Sequence, residues 1–500
     1  MSSLVAGTGS VDELTAAWFR DGQRRFGLLV GVSALAASLL AALLVLRLEI
    51  IAAVAVYVAI GLFGVAWRPR IGIYVLFGLM LLFESVSADP LMLPGRFLPI
   101  GLQGSVINPL EALLFLILGI WLAQGIASRG LKYRAGRLGW PVLLFLLALV
   151  AGLIRGQVSG GDFRIGLWES RFLFYIVACY LLAANTVRTV GNVRVFTTLL
   201  LVCNGLFAIE GAFRWATMIN TGQISGDLAF EHEDVIFLGI AILLVLVQNV
   251  FGAPRWQQLL GYLVAPMCTF TLLASQRRAG YVAVIVAFLL IGCILLFTRR
   301  KAFFLIFVPM ILVGSVYLPV FWNNTSLLGQ PARAIRSLSQ PDERDAASNL
   351  YRDLEKIDVQ AGIASNPVLG VGFGQPFPFV VQLPDLSWWA FWHYEPHHNI
   401  LWVWLKTGAI GFTLFFVLMG SGIAHAAHLV AVLRHQELRG FALIVLAAIV
   451  MTLVFSYVDL GLVSGRVTIC LGTLLGCLGV LDRISPVPTT CVGNSTSVRA

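Results

Sequence analysis

The chain has 500 residues, of which 59% are hydrophobic and only 12% are charged, and its formal net charge is +9. Soluble domains are about 45–50% apolar and about 25% charged, so this composition excludes a soluble globular protein. Lipid-facing helices accommodate such an excess of apolar side chains. In a membrane protein the positive charge indicates cytoplasmic loops in contact with anionic membrane lipids, and no nucleic-acid partner is expected.

Apolar stretches long enough to cross a bilayer, about 20 residues each, recur along the chain. They predict an all-α fold, a polytopic bundle of about 12–14 transmembrane helices. The candidate spans are 27–46, 49–67, 71–88, 108–126, 139–155, 170–186, 195–214, 233–251, 258–275, 279–298, 302–321, 408–432, 440–459 and 464–481.

Arginine and lysine residues cluster in every second connection between these spans, as at 129–137 and 299–301. The positive-inside rule therefore predicts that these connections and both termini are cytoplasmic. The predicted regions are a transmembrane region (1–321), a large extracytoplasmic loop (322–407), C-terminal transmembrane helices (408–482) and a cytoplasmic tail (483–500).

The predicted extracytoplasmic loop is long, and its aromatic residues at 388–394 argue against disorder. Residues 345–363 have the spacing of an amphipathic helix. The aromatic run has two interpretations: a surface that stacks on sugar rings, or an interfacial aromatic belt. Both remain open at this stage.

Several arginines lie in or beside connections on the predicted outer side, where basic residues should be scarce. Residues 275–280 (SQRRAG) form a whole connection between two spans, so two adjacent arginines lie at membrane level. Snorkelling or an ion pair would explain any one arginine, but the set favours an anionic substrate, since guanidinium groups bind phosphate oxygens in a bidentate way. The set is Arg164, Arg171, Arg214, Arg277, Arg278, Arg352 and Arg466.

Residues 393–399 (HYEPHHN) precede a short apolar helix, 400–406, before the next span. A neutral imidazole at the membrane edge can accept a proton from a hydroxyl group. The histidines could instead cap helices, or hold a metal through His393, Glu395, His397 and His398. Because this spacing matches no standard ligand pattern, no metal is expected.

Alternate glycines occur in residues 366–374 (NPVLGVGFG), at Gly370, Gly372 and Gly374. Glycines with this spacing let backbone amides approach a ligand closely, or they form a flexible turn. The segment lacks the spacing and the strand–helix context of a dinucleotide-binding motif.

Three elements follow one another in the sequence: SQRRAG, NPVLGVGFG and, at 397–411, HHNILWVWLKTGAIG. Together they resemble the O-antigen ligase and polymerase superfamily, by motif over about 270–425. The resemblance implies a bacterial glycosyltransferase without metal or cofactor, in the cytoplasmic (inner) membrane and with a periplasmic active site. It also implies an undecaprenyl-pyrophosphate-linked glycan donor and, as acceptor, a hydroxyl of lipid A core for a ligase or of a glycan for a polymerase.

Carried onto this chain, the resemblance makes His398 the base and Arg278 the principal pyrophosphate ligand, with Arg352 also matching a family arginine. Arg277 is adjacent to Arg278, and His397 is adjacent to His398. Which arginine is the principal ligand and which histidine is the base therefore stays open. No carboxylate nucleophile stands out in the outer motifs, which favours a single displacement that inverts the anomeric carbon. The expected substrate-binding residues are Arg171, Arg277, Arg278, Arg352, Gly370, Gly372, Gly374 and Asn399.

A transporter or channel for an anionic solute is the alternative function, since broken helices and charged residues within the membrane also mark transport paths. The ionisable residues gather at one face of the predicted bundle and not at the bilayer midplane. This distribution favours the enzyme.

Overall fold

The structure is a computed structural model that describes residues 69–82, 109–127, 134–223, 225–324, 326–384 and 391–485. The chain forms two compact units, Met1–Gly72 and Ile73–Ala500. All features of the site lie in the second unit.

Within these described ranges every regular element is a helix, which confirms the predicted all-α fold. A π-helical turn at Trp215–Ile219 follows α5, and a short 3-10 helix at Leu327–Gly329 precedes α11. The α-helices are α1 (Pro69–Leu82), α2 (Pro109–Ala127), α3 (Gly139–Val158), α4 (Phe163–Thr186), α5 (Val190–Arg214), α6 (Gly226–Ala229), α7 (Asp234–Phe251), α8 (Arg255–Ala274), α9 (Arg278–Thr298), α10 (Arg300–Phe321), α11 (Gln330–Arg336), α12 (Glu343–Ser365), α13 (Asn399–Val432), α14 (Gln436–Ser456), α15 (Gly465–Leu478) and α16 (Leu481–Ile484).

Eleven of the described helices are long and apolar enough to cross a membrane. They correspond to the eleven spans predicted between 108 and 481, so the chain is a multi-pass membrane protein. The predicted spans 27–46 and 49–67 lie outside the described residues, and the described part of 71–88 belongs to the shorter helix α1. The predicted short helix 400–406 and the span that follows it are two helical segments of α13, and they are separated at Gly408, where φ is 66° and ψ is −176°, outside the helical region.

The helices differ in how much of their surface the protein covers. The protein buries most of the surface of three helices, α7, α14 and α15. Helix α14 packs against α7, α9 and α13, and helix α15 packs against α4. α10 is exposed along nearly its whole length and contacts α9 and α11. Because its exposed side chains are apolar, this helix suits direct contact with lipid.

Between α10 and α13 the described residues contain no candidate membrane span, only the short helices and α12. α12 confirms the amphipathic helix predicted over 345–363, and it begins where the Asp342 side chain accepts a hydrogen bond from the Asp345 N–H at 2.8 Å. Its apolar face, which includes Val359, packs against Leu405 and Phe377. The polar helix is thereby docked on the first turns of α13.

The glycine-rich segment packs against the helical bundle. Gly370, Gly372 and Gly374 have φ values of 72°, 90° and 87°, in the left-handed region. A Cβ atom on Gly372 would lie 2.2 Å from the backbone N of Gly156, in α3. At Gly370 the nearest backbone belongs to α13, and at Gly374 it belongs to Asp162, just before α4. The three glycines therefore allow close approaches between backbones that side chains would prevent.

A buried ion pair between α13 and α4 binds the glycine-rich segment to both helices. Lys406 Nζ lies 3.0 Å from Glu169 Oε2, and neither side chain is exposed to solvent. Lys406 also donates to the carbonyl of Gln375 at 2.5 Å, and Glu169 accepts the N–H of Gly374. The two charges thus satisfy backbone groups of the glycine-rich segment as well as each other.

Replacing Lys406 by Met should destabilise the protein by about 3–5 kcal/mol, because the Glu169 carboxylate would remain buried without its cation. Thermal unfolding of the purified protein in detergent measures the effect. The double variant Lys406→Met with Glu169→Met should recover part of the loss, because the N–H of Gly374 and the carbonyl of Gln375 still lose their side-chain partners. The exposed Lys301→Met serves as a matched control with little effect. Wild-type stability of Lys406→Met would contradict this account of the ion pair.

Candidate active site

A cavity of about 300 Å³ lies where the connections between several helices converge. Its residues come from the connections before α7, between α8 and α9, before α13 and after α14, and from α9, α11 and α12. The lining residues are His232, Gln276, Arg277, Arg278, Ala279, Gln330, Arg333, Ala334, Arg344, Asp345, Ser348, Arg352, His397 and Asp459.

The cavity has a strong excess of positive charge. Five arginines line it, against two aspartates. Guanidinium groups cannot lose their charge in proteins, and in a partly enclosed space each attracts an anion more strongly than it would in bulk water. The lining therefore suits a polyanion such as a pyrophosphate.

Two of the predicted ligands, Arg278 and Arg352, line the cavity together. Arg278 begins α9, and its Nη2 lies 3.4 Å from Asp345 Oδ1. Arg352 Nη2 lies 3.7 Å from Asp459 Oδ2. Arg278 also donates from Nη1 to Ser337 at 3.3 Å and from Nη2 to Asn349 at 3.4 Å. Each guanidinium group has five N–H donors, so both side chains retain donors beyond these contacts for an anion.

Arg277 is directed to a different part of the cavity than its neighbour. It donates to the carbonyl of Phe230 at 3.0 Å, and its Nη1 lies 3.0 Å from His232 Nδ1. The connection between α8 and α9 is as tight as the sequence predicts, with Gln276 in the left-handed region at a φ of 54°. This turn places the two adjacent guanidinium groups on different partners.

His397 lines the cavity and is paired with a carboxylate of α12. Its Nδ1 lies 3.2 Å from Oε1 of the buried Glu355, and its backbone N–H donates to Oε2 at 2.7 Å. Tyr351 donates its hydroxyl to the same carboxylate at 3.1 Å. With Nδ1–H donated to Glu355, the ring nitrogen Nε2 is left as a proton acceptor.

His398 is not among the lining residues and caps α13. Its Nδ1 accepts the N–H of Leu401 at 3.3 Å, and its ring lies edge-on to Tyr457. Burial, and after it the nearby Lys356, lowers the pKa of His398, which favours the neutral ring. A neutral imidazole that accepts at Nδ1 carries its proton on Nε2, so it has no further nitrogen to act as a base.

Asn399 is fully buried and holds the histidine segment in place. Its Oδ1 accepts the N–H groups of Leu462 and Val463, at 2.7 and 3.2 Å, and its Nδ2 donates to the Pro396 carbonyl at 2.9 Å. These bonds join the turn before α13 to the connection between α14 and α15. The structure thus places Asn399 among supporting contacts and not on the cavity surface.

The other predicted site residues also lie away from the cavity. Arg171 pairs with Glu111 at 3.0 Å and lies over the ring of Trp168. Gly370 and Gly372 lie against the backbones of α13 and α3, and Gly374 lies against that of Asp162. Of the ten residues predicted for the site, the cavity brings together Arg277, Arg278, Arg352 and His397; it does not include His398, Asn399, Arg171, Gly370, Gly372 or Gly374.

Asp459 contacts both His232 and Arg352 across the cavity. It is buried, lies 2.8 Å from His232 Nδ1, and also pairs with Arg352. Burial alone would raise the pKa of Asp459, but His232 and Arg352 outweigh it and hold this pKa well below its usual range. Asp459 is therefore ionised at neutral pH.

Sequence reasoning missed several residues of the site. Arg352 and Glu355 are three residues apart on an amphipathic helix and so share a face; that spacing was a usable signal for Glu355. His232 and Asp459 are far apart in sequence, and no local pattern relates them. In the described part of the chain, no group of three or more His, Cys, Asp or Glu side chains is arranged to hold a metal ion.

Residues 262–416 match the family model described as O-antigen ligase (Wzy_C). The matched range contains all three motifs and the cavity residues from Arg277 to His397, whereas His232 and Asp459 lie outside it. Among curated proteins, none matches the chain. The many apolar helices identify a multi-pass membrane protein, and its residues 262–416 are similar to the O-antigen ligase family.

Proposed function

We propose that this protein is a glycosyltransferase that moves a glycan from an undecaprenyl-pyrophosphate carrier to an acceptor hydroxyl. The acceptor belongs to lipid A core or to a second glycan. The observation that carries the proposal is the cavity itself, where arginines suited to a pyrophosphate lie beside a histidine–carboxylate pair.

Arg278 and Arg352 hold the donor's pyrophosphate in this proposal. Negative charge grows on the pyrophosphate oxygens as the bond to the sugar breaks. Guanidinium groups fixed in advance around those oxygens stabilise the transition state more than the ground state. No metal ion is required for this stabilisation.

His397 is the proposed base. Its Nε2 takes the proton of the acceptor hydroxyl, whose oxygen forms a bond to the anomeric carbon. The bond between that carbon and the pyrophosphate oxygen breaks, and its electron pair leaves with the carrier pyrophosphate. Glu355 stabilises the imidazolium that forms, as a buried carboxylate does in other histidine pairs. One displacement of this kind inverts the anomeric configuration.

The cavity is proposed to open on the periplasmic side of the bacterial inner membrane, with both termini cytoplasmic and 322–407 as the extracytoplasmic loop. The basic connections predicted from the sequence support this orientation. It places the arginines at the level of a lipid carrier's headgroup.

One experiment tests both activity and orientation. The protein is reconstituted into sealed vesicles with the lipid-linked donor, and a membrane-impermeant acceptor is added outside. Transfer is expected only in vesicles that expose the predicted periplasmic face, and it should persist with a chelator. Lipid A core and a lipid-linked glycan are compared as acceptors, to separate ligase from polymerase. Lack of transfer to either acceptor would end the proposal.

A further inference from the structure

We propose that the cavity binds the two phosphates of the donor in a fixed order, and that Arg333 makes the site selective for a pyrophosphate over a monophosphate carrier. The phosphate joined to the sugar lies at Arg352, and the phosphate joined to the carrier lipid lies at Arg278 and Arg333. This inference rests on the proposed function and adds Arg333, which no sequence motif indicated.

Arg333 lines the cavity from α11, and one carboxylate links it to Arg278. Asp345 Oδ1 lies 3.4 Å from Arg278 Nη2, and Asp345 Oδ2 lies 3.7 Å from Arg333 Nη2. Asp342 lies 2.6 Å from Arg333 Nη2 and holds this side chain in place. Each guanidinium group has five N–H donors, so a phosphate beside Asp345 in the cavity can accept hydrogen bonds from both members of this arginine pair, Arg278 and Arg333.

His397 determines the end of the cavity at which the sugar reacts. Its Nδ1 lies 3.2 Å from Glu355 Oε1, and Glu355 shares a face of α12 with Arg352, three residues before it. The acceptor hydroxyl loses its proton at His397, so the anomeric carbon must lie close to this histidine. The phosphate joined to that carbon is then nearest to Arg352.

Helix α12 sets the order of these groups along its axis. The arginine pair contacts Asp345 in the first turn of the helix, whereas His397 contacts Glu355 nearly three turns later. With a rise of about 1.5 Å per residue, Asp345 and Glu355 are about 15 Å apart along the axis. Arg352 lies between them, so a donor that extends along α12 meets His397, Arg352 and the arginine pair in that order.

The arginine pair lies at the end of the cavity that is nearest to lipid-facing helices. Arg278 is the first residue of α9, and Arg333 belongs to α11, which packs against α9 and α10. Apolar side chains are exposed along nearly the whole length of α10, which suits contact with lipid. A carrier whose chain lies in the membrane beside these helices brings its own phosphate to the arginine pair.

The charges of the cavity suit two phosphates better than one. A pyrophosphate diester carries two negative charges, whereas a monophosphate diester carries one. Arg333 and Arg352 are both close enough to Arg278 to repel its charge, and an anion between these groups relieves the repulsion. A donor with a single phosphate, bound at Arg352, leaves the arginine pair without an anion.

The test measures equilibrium binding of two probes to the purified full-length protein in detergent, without acceptor. Undecaprenyl-pyrophosphoryl-glucose and undecaprenyl-phosphoryl-glucose share the carrier and the sugar and differ by one phosphate. Wild-type protein is expected to bind the pyrophosphate probe about 10–100-fold more tightly, as expected for hydrogen bonds to a charged group. Arg333→Gln should remove most of this preference by weakening binding of the pyrophosphate probe, and affinity for the monophosphate probe should change little.

Arg336→Gln is the matched control, in the same helix as Arg333. Arg336 donates to the carbonyl of Trp322 at 3.0 Å and does not line the cavity, so this variant should keep the wild-type preference. Arg352→Gln tests the order of the phosphates. It should weaken binding of both probes, because the phosphate joined to the sugar is common to them.

Three results would overturn the role of Arg333: full preference in Arg333→Gln, an equal loss for both probes in that variant, or equal wild-type affinity for the two probes. Binding of the pyrophosphate probe by wild-type protein would still support the proposed function. A loss confined to the pyrophosphate probe in Arg352→Gln would overturn the order of the phosphates. Failure of wild-type protein to bind the pyrophosphate probe would overturn both proposals.

Discussion

His397→Ala is expected to lower turnover by about 10²–10⁴-fold, the usual contribution of a positioned general base. Donor affinity should change little, because the arginines supply the contacts with the pyrophosphate. The measurement is the rate of glycan transfer by purified protein with saturating donor and acceptor. Glu355→Gln should give a smaller loss, since the imidazole remains but loses the carboxylate that orients it and stabilises its charged form.

His398→Ala is the matched comparison, one residue away. It removes the side chain that caps α13, which should cost about 1 kcal/mol of stability, and turnover should stay close to that of the wild type. The opposite result, with His398→Ala inactive and His397→Ala near normal, would show that His398 is the general base, as the resemblance to the family implies.

Arg278→Lys and Arg352→Lys are each expected to lower kcat/KM for the donor by roughly 10–10³-fold. Lysine keeps the charge but cannot bind two phosphate oxygens with a planar fork. Because both side chains bind one anion, the double variant should lose less than the product of the single losses. Steady-state kinetics with varied donor concentration measures the effect.

The exposed Arg300→Lys, at the start of α10, is the control for a conservative exchange that does not touch the cavity. It should behave as wild type. Normal donor kinetics in both cavity variants would show that these arginines do not bind the pyrophosphate, even if the protein transfers glycans.

The membrane fold could be predicted because its signal is local. A run of about 20 apolar residues is sufficient to indicate a span wherever it occurs. Each of the eleven described spans contains such a run. The polar helix α12 was predictable for the same reason, since its pattern repeats every three to four residues. The break at Gly408 was predicted as the end of a short helix over 400–406. The backbone of Val368 and Gly370 that lies against Gly408 could not be predicted, because it comes from a distant part of the sequence.

The site was only partly predictable, because side-chain direction depends on distant contacts. His397 and His398 are adjacent, and their different roles follow from Glu355 in α12 and from the cap of α13. The glycines suggested a ligand, yet they lie against the backbones of α13, of α3 and of Asp162. In each case the chemical type of the residue was informative, but its partner lay far away in sequence.

The wide separation of the cavity residues in the sequence has a consequence for how the protein is synthesised. Asp459 follows α14, so the ribosome adds it long after His232 and after the whole family-matched range 262–416. A nascent chain that has already inserted the arginines and His397 still lacks the carboxylate that contacts His232 and Arg352. If the proposed function holds, we therefore expect activity to appear only once the connection between α14 and α15 has been synthesised.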